Sequence, residues 1–173
     1  MITNEVEERV RGWFNGRLPK KWQHEAPVIT IDREEITVLL TIADVDLEEG
    51  ASEAEAAETR AGRIKAFRED TRDKRISIAR EAEHRFDRKV SWGVTAGDRS
   101  ELFTHIAAPV MTRLRQPQRQ VLDILVDAGV ARSRADALSW CVRLVGQHAD
   151  EWLAELRQAM SQVDEVRKKG PAA

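Results

Sequence analysis

The chain has 173 residues, 42% of them hydrophobic, with a formal net charge of -2 and a single cysteine. That length supplies a core for one large or two small domains, and the near-neutral balance excludes a protein held to nucleic acid by bulk electrostatics. One thiol excludes a disulfide scaffold, and no apolar run reaches the ~18 residues of a membrane span.

Met1 to Glu5 lack the positive start and apolar core of a signal peptide, so a cytoplasmic protein is expected. Asn4 to Phe14 reads as a short helix with Val6, Val10, Trp13 and Phe14 on one side, ended by Gly16 and Pro19. Val28 to Ile31, the turn Asp32-Arg33-Glu34-Glu35 and Ile36 to Ala43 form a hairpin rich in β-branched residues. A second hairpin follows later. Val90, Trp92 and Val94 alternate with Ser91, Gly93 and Thr95, and Ala96-Gly97-Asp98-Arg99 turns the chain into Leu102, Thr104 and Ile106. His105 alternates with Phe103 there, as a sheet histidine would. Two-stranded pieces are marginal alone, so both hairpins are expected in one antiparallel sheet.

Between the hairpins runs a long helical segment, roughly Ser52 to Arg88, opened by Ser52 and Glu55 as a capping box. Seven acids from Asp44 through Glu58 precede eleven bases from Arg60 to Lys89. The acids read as a solvated loop and helix start. Ile64, Phe67, Ile78, Ala82 and Phe86 make an apolar stripe that Arg68 and Arg75 interrupt, so the helix is expected to lift off the sheet or bend there. Asp70 with Lys74 and Glu81 with Arg85 stand four apart in the favourable order. Arg68, Arg72, Lys74 and Arg75 form a candidate secondary basic surface.

Val110 to Val145 is the most informative stretch. Met111 and Arg113 alternate with Val110, Thr112 and Leu114, as in an extended segment with two faces. Pro117 opens a helix carrying Val121, Leu122, Leu125 and Val126, and Gly129 offers its left-handed stop. Ser133 and Asp136 cap a second helix with Ala137, Leu138, Cys141, Val142 and Val145 on its apolar side. Asp150 then caps a last helix with Trp152, Leu153, Leu156, Met160 and Val163, and the Lys168-Lys169-Gly170-Pro171 end is expected to fray.

This region resembles the ribbon-helix-helix family of DNA-binding proteins, the group of the Arc and methionine repressors. The resemblance rests on Arg113-Leu114, Leu122-Asp123, Leu125-Val126, Gly129, Ser133-Arg134 and Ala137-Leu138. Thr112 falls where that family carries an inward apolar residue, and the proline after Arg-Leu is displaced to Pro117. The resemblance implies that two chains pair one strand each into a ribbon that enters the major groove. It places Met111, Arg113 and Arg115 at bases, and Arg132, Ser133 and Arg134 against phosphate. A strand that pairs within its own chain is the other reading. The whole chain also resembles uncharacterised conserved actinobacterial proteins with a Trp-Phe, Gly-Arg-Leu-Pro stretch, here Trp13-Phe14 and Gly16 to Pro19. That gives a lineage and no mechanism.

Nothing in the spacing argues for catalysis. His24, His84, His105 and His148 are widely separated, no metal-ligand set is spelled out, and Cys141 has apolar neighbours that favour packing over nucleophilic chemistry. No metal or cofactor is therefore expected. The expected molecule is α+β: a sheet-and-helix domain over 1-107, a ribbon-helix-helix-like module over 108-148, and a C-terminal helix and tail over 149-173. It is expected to act as a homodimeric regulator on double-stranded DNA, without enzymatic activity or membrane contact. Trp13, Trp22 and Trp92 suggest an N-terminal surface for a ligand or protein partner. The alternative is a protein-interaction or RNA-binding adaptor that uses the charged helix 52-88.

Overall fold

The computed structural model describes residues 4-47 and 50-169. Met1 to Thr3, Glu48 and Glu49 of the acidic run, and Gly170 and Pro171 of the end expected to fray lie outside the described residues. The fold is α+β, and the chain divides into two compact units, Met1–Ala108 and Pro109–Ala173.

Alternation of apolar and polar residues builds the N-terminal unit. Strands β1 (Val28–Ile31), β2 (Glu35–Thr41), β3 (Lys89–Ala96) and β4 (Arg99–Leu102) form one sheet in sequence order. The register sets Ile36 beside Val90, Val38 beside Trp92 and Leu40 beside Val94, so all six leave one face and are buried. Against that face pack Val10 and Phe14 of α1 (Asn4–Arg17), Trp22 of a 3-10 turn (Lys20–Trp22), Ile64 of α2 (Glu53–Asp70), and Ile78 and Ala82 of α3 (Arg72–Phe86). Edge-to-face rings tie α1 to its neighbours, with Trp13 at 5.7 Å from Phe86 and Phe14 at 6.2 Å from Trp92.

The sheet is mixed and not wholly antiparallel as expected. The two hairpin pairs, β1 with β2 and β3 with β4, are antiparallel, but β2 and β3 run parallel. Two helices connect β2 to β3 and carry the chain back the length of the sheet, so β3 starts at the same end as β2. The long helix is also two helices, broken at Thr71 with Arg75 turned inward, and β4 stops at Leu102, leaving Thr104, His105 and Ile106 outside the sheet.

In the C-terminal unit, α4 (Gln116–Asp127), α5 (Arg134–His148) and α6 (Asp150–Lys169) follow one another on short connections. The α4–α5 turn closes at Gly129, whose φ of +73° is left-handed, and Val130 N–H donates to the Leu125 carbonyl at 3.0 Å.

Candidate nucleic-acid interface

The candidate interface starts with an extended segment that belongs to no sheet. Residues 104-115 carry no strand, so the strand expected from Val110 to Leu114 is not formed within this chain. A strand needs a neighbour for its ladder, and among the described residues the C-terminal unit contains no other strand. Val110 is 89% exposed and Met111 97%, and Thr112, Arg113 and Arg115 are exposed as well. Leu114 is half-buried and packs against Leu122, Ala131 and Ala137. Two contacts lock the exit of the segment: Arg115 N–H donates to Gln118 Oε1 at 2.9 Å, and Arg119 Nη1 donates to the Leu114 carbonyl at 2.6 Å.

The start of α5 is the second part of the site. Ser133 Oγ accepts from Asp136 N–H at 3.2 Å, and Asp136 Oδ2 accepts from Arg132 N–H at 3.0 Å. The backbone N–H groups of Arg134 and Ala135 have no partner among the described residues. Arg132 is exposed. Arg134 is engaged, since its Nε and Nη2 donate to both oxygens of Asp123 at 2.6 and 2.8 Å. That hydrogen-bonded fork holds the Asp123 carboxyl below its ordinary range and ties α5 to α4. Arg132, Ser133 and Arg134 thus share one helix start, but the Arg134 side chain is already committed.

Apolar residues surround these polar ones. Leu122, Ala131 and Ala137 are the buried cluster, with Leu114, Leu125, Val126, Leu138 and Cys141 packed against it. Cys141 is half-buried, as a packing thiol would be. Ile124 on α4 is 65% exposed and Val142 on α5 66%, and Trp152, Leu156, Met160 and Val163 on α6 are exposed too.

Of the four residues expected to form the secondary basic surface, Arg68, Arg72 and Lys74 are exposed and Arg75 is not. Arg75 is only 7% exposed, with Nε donating to Thr71 Oγ1 at 3.0 Å and Nη2 to the Arg68 carbonyl at 2.8 Å. Its head thus donates twice across the helix break. Arg68 lies over the Phe103 ring. Neither Asp70 with Lys74 nor Glu81 with Arg85 is an ion pair among the described residues. Glu81 pairs with Arg17 of α1 at 2.6 Å, and Arg85 covers Phe86. Of the three tryptophans expected to supply a partner surface, Trp22 and Trp92 are buried in the core and Trp13 is half-buried among aromatic rings, beside Glu81, His84 and Arg85 at the surface. The Phe103 contacts escaped the sequence reading. A phenylalanine just after a hairpin whose outer strand is short, and arginines breaking an apolar stripe, were the signals for them.

Among the described residues no group of three or more His, Cys, Asp or Glu side chains converges as a metal site, and no helix is long and apolar enough to cross a membrane. The molecule is thus defined as an α+β protein in which a sheet-and-helix unit precedes a helical unit with an extended, exposed lead-in. The chain belongs to the Rv1265-like protein family. The family's N-terminal domain matches residues 8–102, and the Mb1296 C-terminal domain matches residues 115–167. It is 57% identical over 159 residues to the uncharacterized proteins Mb1296 of Mycobacterium bovis and Rv1265 of Mycobacterium tuberculosis, covering 92% of this chain and 69% of each of theirs. No solved structure matches it.

Proposed function

We propose that the chain is a homodimeric, sequence-specific DNA-binding regulator of the cytoplasm, with no catalytic step of its own. Two Met111-to-Arg115 segments pair as an antiparallel ribbon in the major groove. The unfinished core of the C-terminal unit carries this reading. Its buried cluster is Leu122, Ala131 and Ala137, while Val121, Ile124, Val142 and Val145 remain exposed on the same two helices. Burial stabilises by about 25 cal/mol per Å² of apolar surface, so helices with this much apolar side chain in water gain by covering it. A second copy covers it symmetrically and gives each extended segment its ladder partner.

In that dimer Met111 and Arg113 face the groove. The Arg113 guanidinium forks onto the O6 and N7 acceptors of guanine, Met111 offers apolar contact, and Arg115 lies at the exit. Arg132 and the free N–H groups at the start of α5 take a phosphate, and Arg134 through Asp123 holds that helix start in position.

A duplex library selected on the full chain tests the reading. Wild type enriches a two-fold related sequence, and Arg113→Ala loses about 1–3 kcal/mol of discrimination at one base pair of each half-site. Failure to enrich any duplex overturns the proposal.

A further inference from the structure

Arg75 is the single buried charged side chain among the described residues. It has no carboxylate partner. Thr71 Oγ1 and the Arg68 carbonyl satisfy Nε and Nη2, while Nη1 has no hydrogen-bond partner among the described residues. Its Cζ lies 4.8 Å from the centre of the Phe103 ring, and that of Arg68 lies 5.5 Å from the same ring. Ring faces attract cations, so Phe103 relieves part of the cost of burying this charge. Burial, followed by repulsion from Arg68 and Arg72, still pushes the Arg75 guanidinium down to about 10. The group is therefore charged at neutral pH and held against its neighbours.

Arg68 lies in the last turn of α2, and Arg72 and Arg75 lie in the first turn of α3, on either side of the break at Thr71. Glu101 is the acid that faces them, with Oε1 4.0 Å from Arg68 Nη1. Asp73 leaves α3 about 200° around the axis from Arg75. Over residues 68-75 four bases stand against three acids and Glu101 makes the balance even, so what is missing is a partner for Arg75 itself.

We infer that the break between α2 and α3 is a binding site for a small phosphate-bearing anion, held by Arg68, Arg72 and Arg75 beside the Phe103 ring. A phosphate presents three strong acceptor oxygens, one for Arg75 Nη1 and others for Arg68 and Arg72, whereas a carboxylate presents two. Guanidinium groups also match phosphate oxygens as a fork. The nucleic-acid backbone fits less well. Arg75 is too deeply set to reach a continuous polyanion, and Glu101 repels the phosphates that would flank the contact. The site is independent of the proposed DNA-binding unit, so one reading stands or falls without the other.

Thermal melting of the full chain, followed by tryptophan fluorescence, tests the site with inorganic phosphate against chloride at equal ionic strength. Phosphate at 100 times its dissociation constant raises the melting temperature by about 10 °C, and chloride does not. Arg72→Gln, at an exposed position, weakens phosphate about tenfold by calorimetric titration, and Glu101→Gln strengthens it. Arg75→Met removes the response; it also takes the donors from Thr71 Oγ1 and the Arg68 carbonyl, so it melts below wild type without phosphate, and the response is read as the shift between phosphate and chloride within each variant. If Arg75→Met fails to fold, the Arg72 and Glu101 variants carry the test. Glycerol phosphate in a parallel titration separates a monoester site, which it occupies as tightly as inorganic phosphate, from one for the free ion. An equal response to chloride, or a phosphate response unchanged in Arg72→Gln, overturns the inference. So does displacement of phosphate by a DNA duplex in wild type that Arg72→Gln abolishes, which would make this a nucleic-acid surface.

Discussion

Single residues in this molecule are decided by what the fold brings beside them. Gly93 is one case. A Cβ there would lie 2.6 Å from Leu102 Cδ2, 2.9 Å from Leu39 Cδ1 and 3.0 Å from the Glu101 carbonyl oxygen. The leucine ends can turn away, but the β4 backbone cannot. Gly93→Ala is expected to cost about 1–3 kcal/mol in urea unfolding of the N-terminal unit. Glu81 is another. The fork from Arg17 holds its carboxyl below the ordinary carboxylate range. Because the folded value is the lower one, the contribution of Glu81 is present in full above the unfolded value and is lost as pH falls through the folded one. The stability difference between wild type and Glu81→Gln should therefore favour wild type at pH 7 and disappear in acid. Neither partner was legible in the sequence, where Glu81 has a nearer match in Arg85. A fork across 64 residues forms because α1 and α3 pack on the same sheet face.

Secondary elements were the most legible scale, because periodicity and caps act locally. The capping residues Ser52 and Ser133, the left-handed Gly129 and the turn before β2 stand where their chemistry demands. Ser133→Ala is expected to cost about 1 kcal/mol through the lost acceptor for Asp136 N–H. Gly129→Ala meets no neighbour but must adopt a φ of +73°, so a cost of about 1 kcal/mol is expected from backbone strain alone. Circular dichroism melts of the full chain at helix wavelengths measure both. The parallel pairing of β2 with β3 was hidden for a different reason. Alternation reports which face a side chain takes, not which way a strand runs, and a helix-containing connection admits a parallel return that hairpin reasoning overlooks. The break at Thr71 was only half legible. Arginines in the apolar stripe signalled a disturbance, and the buried geometry of Arg75, which places it beside Phe103, needed the tertiary structure.

The whole molecule joins a closed unit to an open one. The N-terminal unit gathers most of its large apolar residues in one buried cluster and leaves Val28, Leu47, Ile76 and Leu102 exposed, whereas the C-terminal unit buries few and leaves Ile124, Val142, Trp152 and Val163 exposed among others. This asymmetry follows from size, since three helices with a short lead-in cannot enclose all their apolar side chains. The sequence signalled it through helical stripes that exceed what one hairpin of helices can cover. A charged substitution on that face, Val142→Lys, should leave the N-terminal unit folded and shift sedimentation of the full chain from dimer to monomer. The central claim is that two copies lay their 111-115 segments side by side. Pulsed dipolar spectroscopy on Arg113→Cys, spin-labelled in a Cys141→Ser background, addresses it directly. Paired strands lie about 4.8 Å apart and rise about 3.3 Å per residue, so an inter-label distance below about 25 Å is predicted, fading as the protein is diluted. The absence of dipolar coupling at a concentration where sedimentation shows a dimer would contradict it.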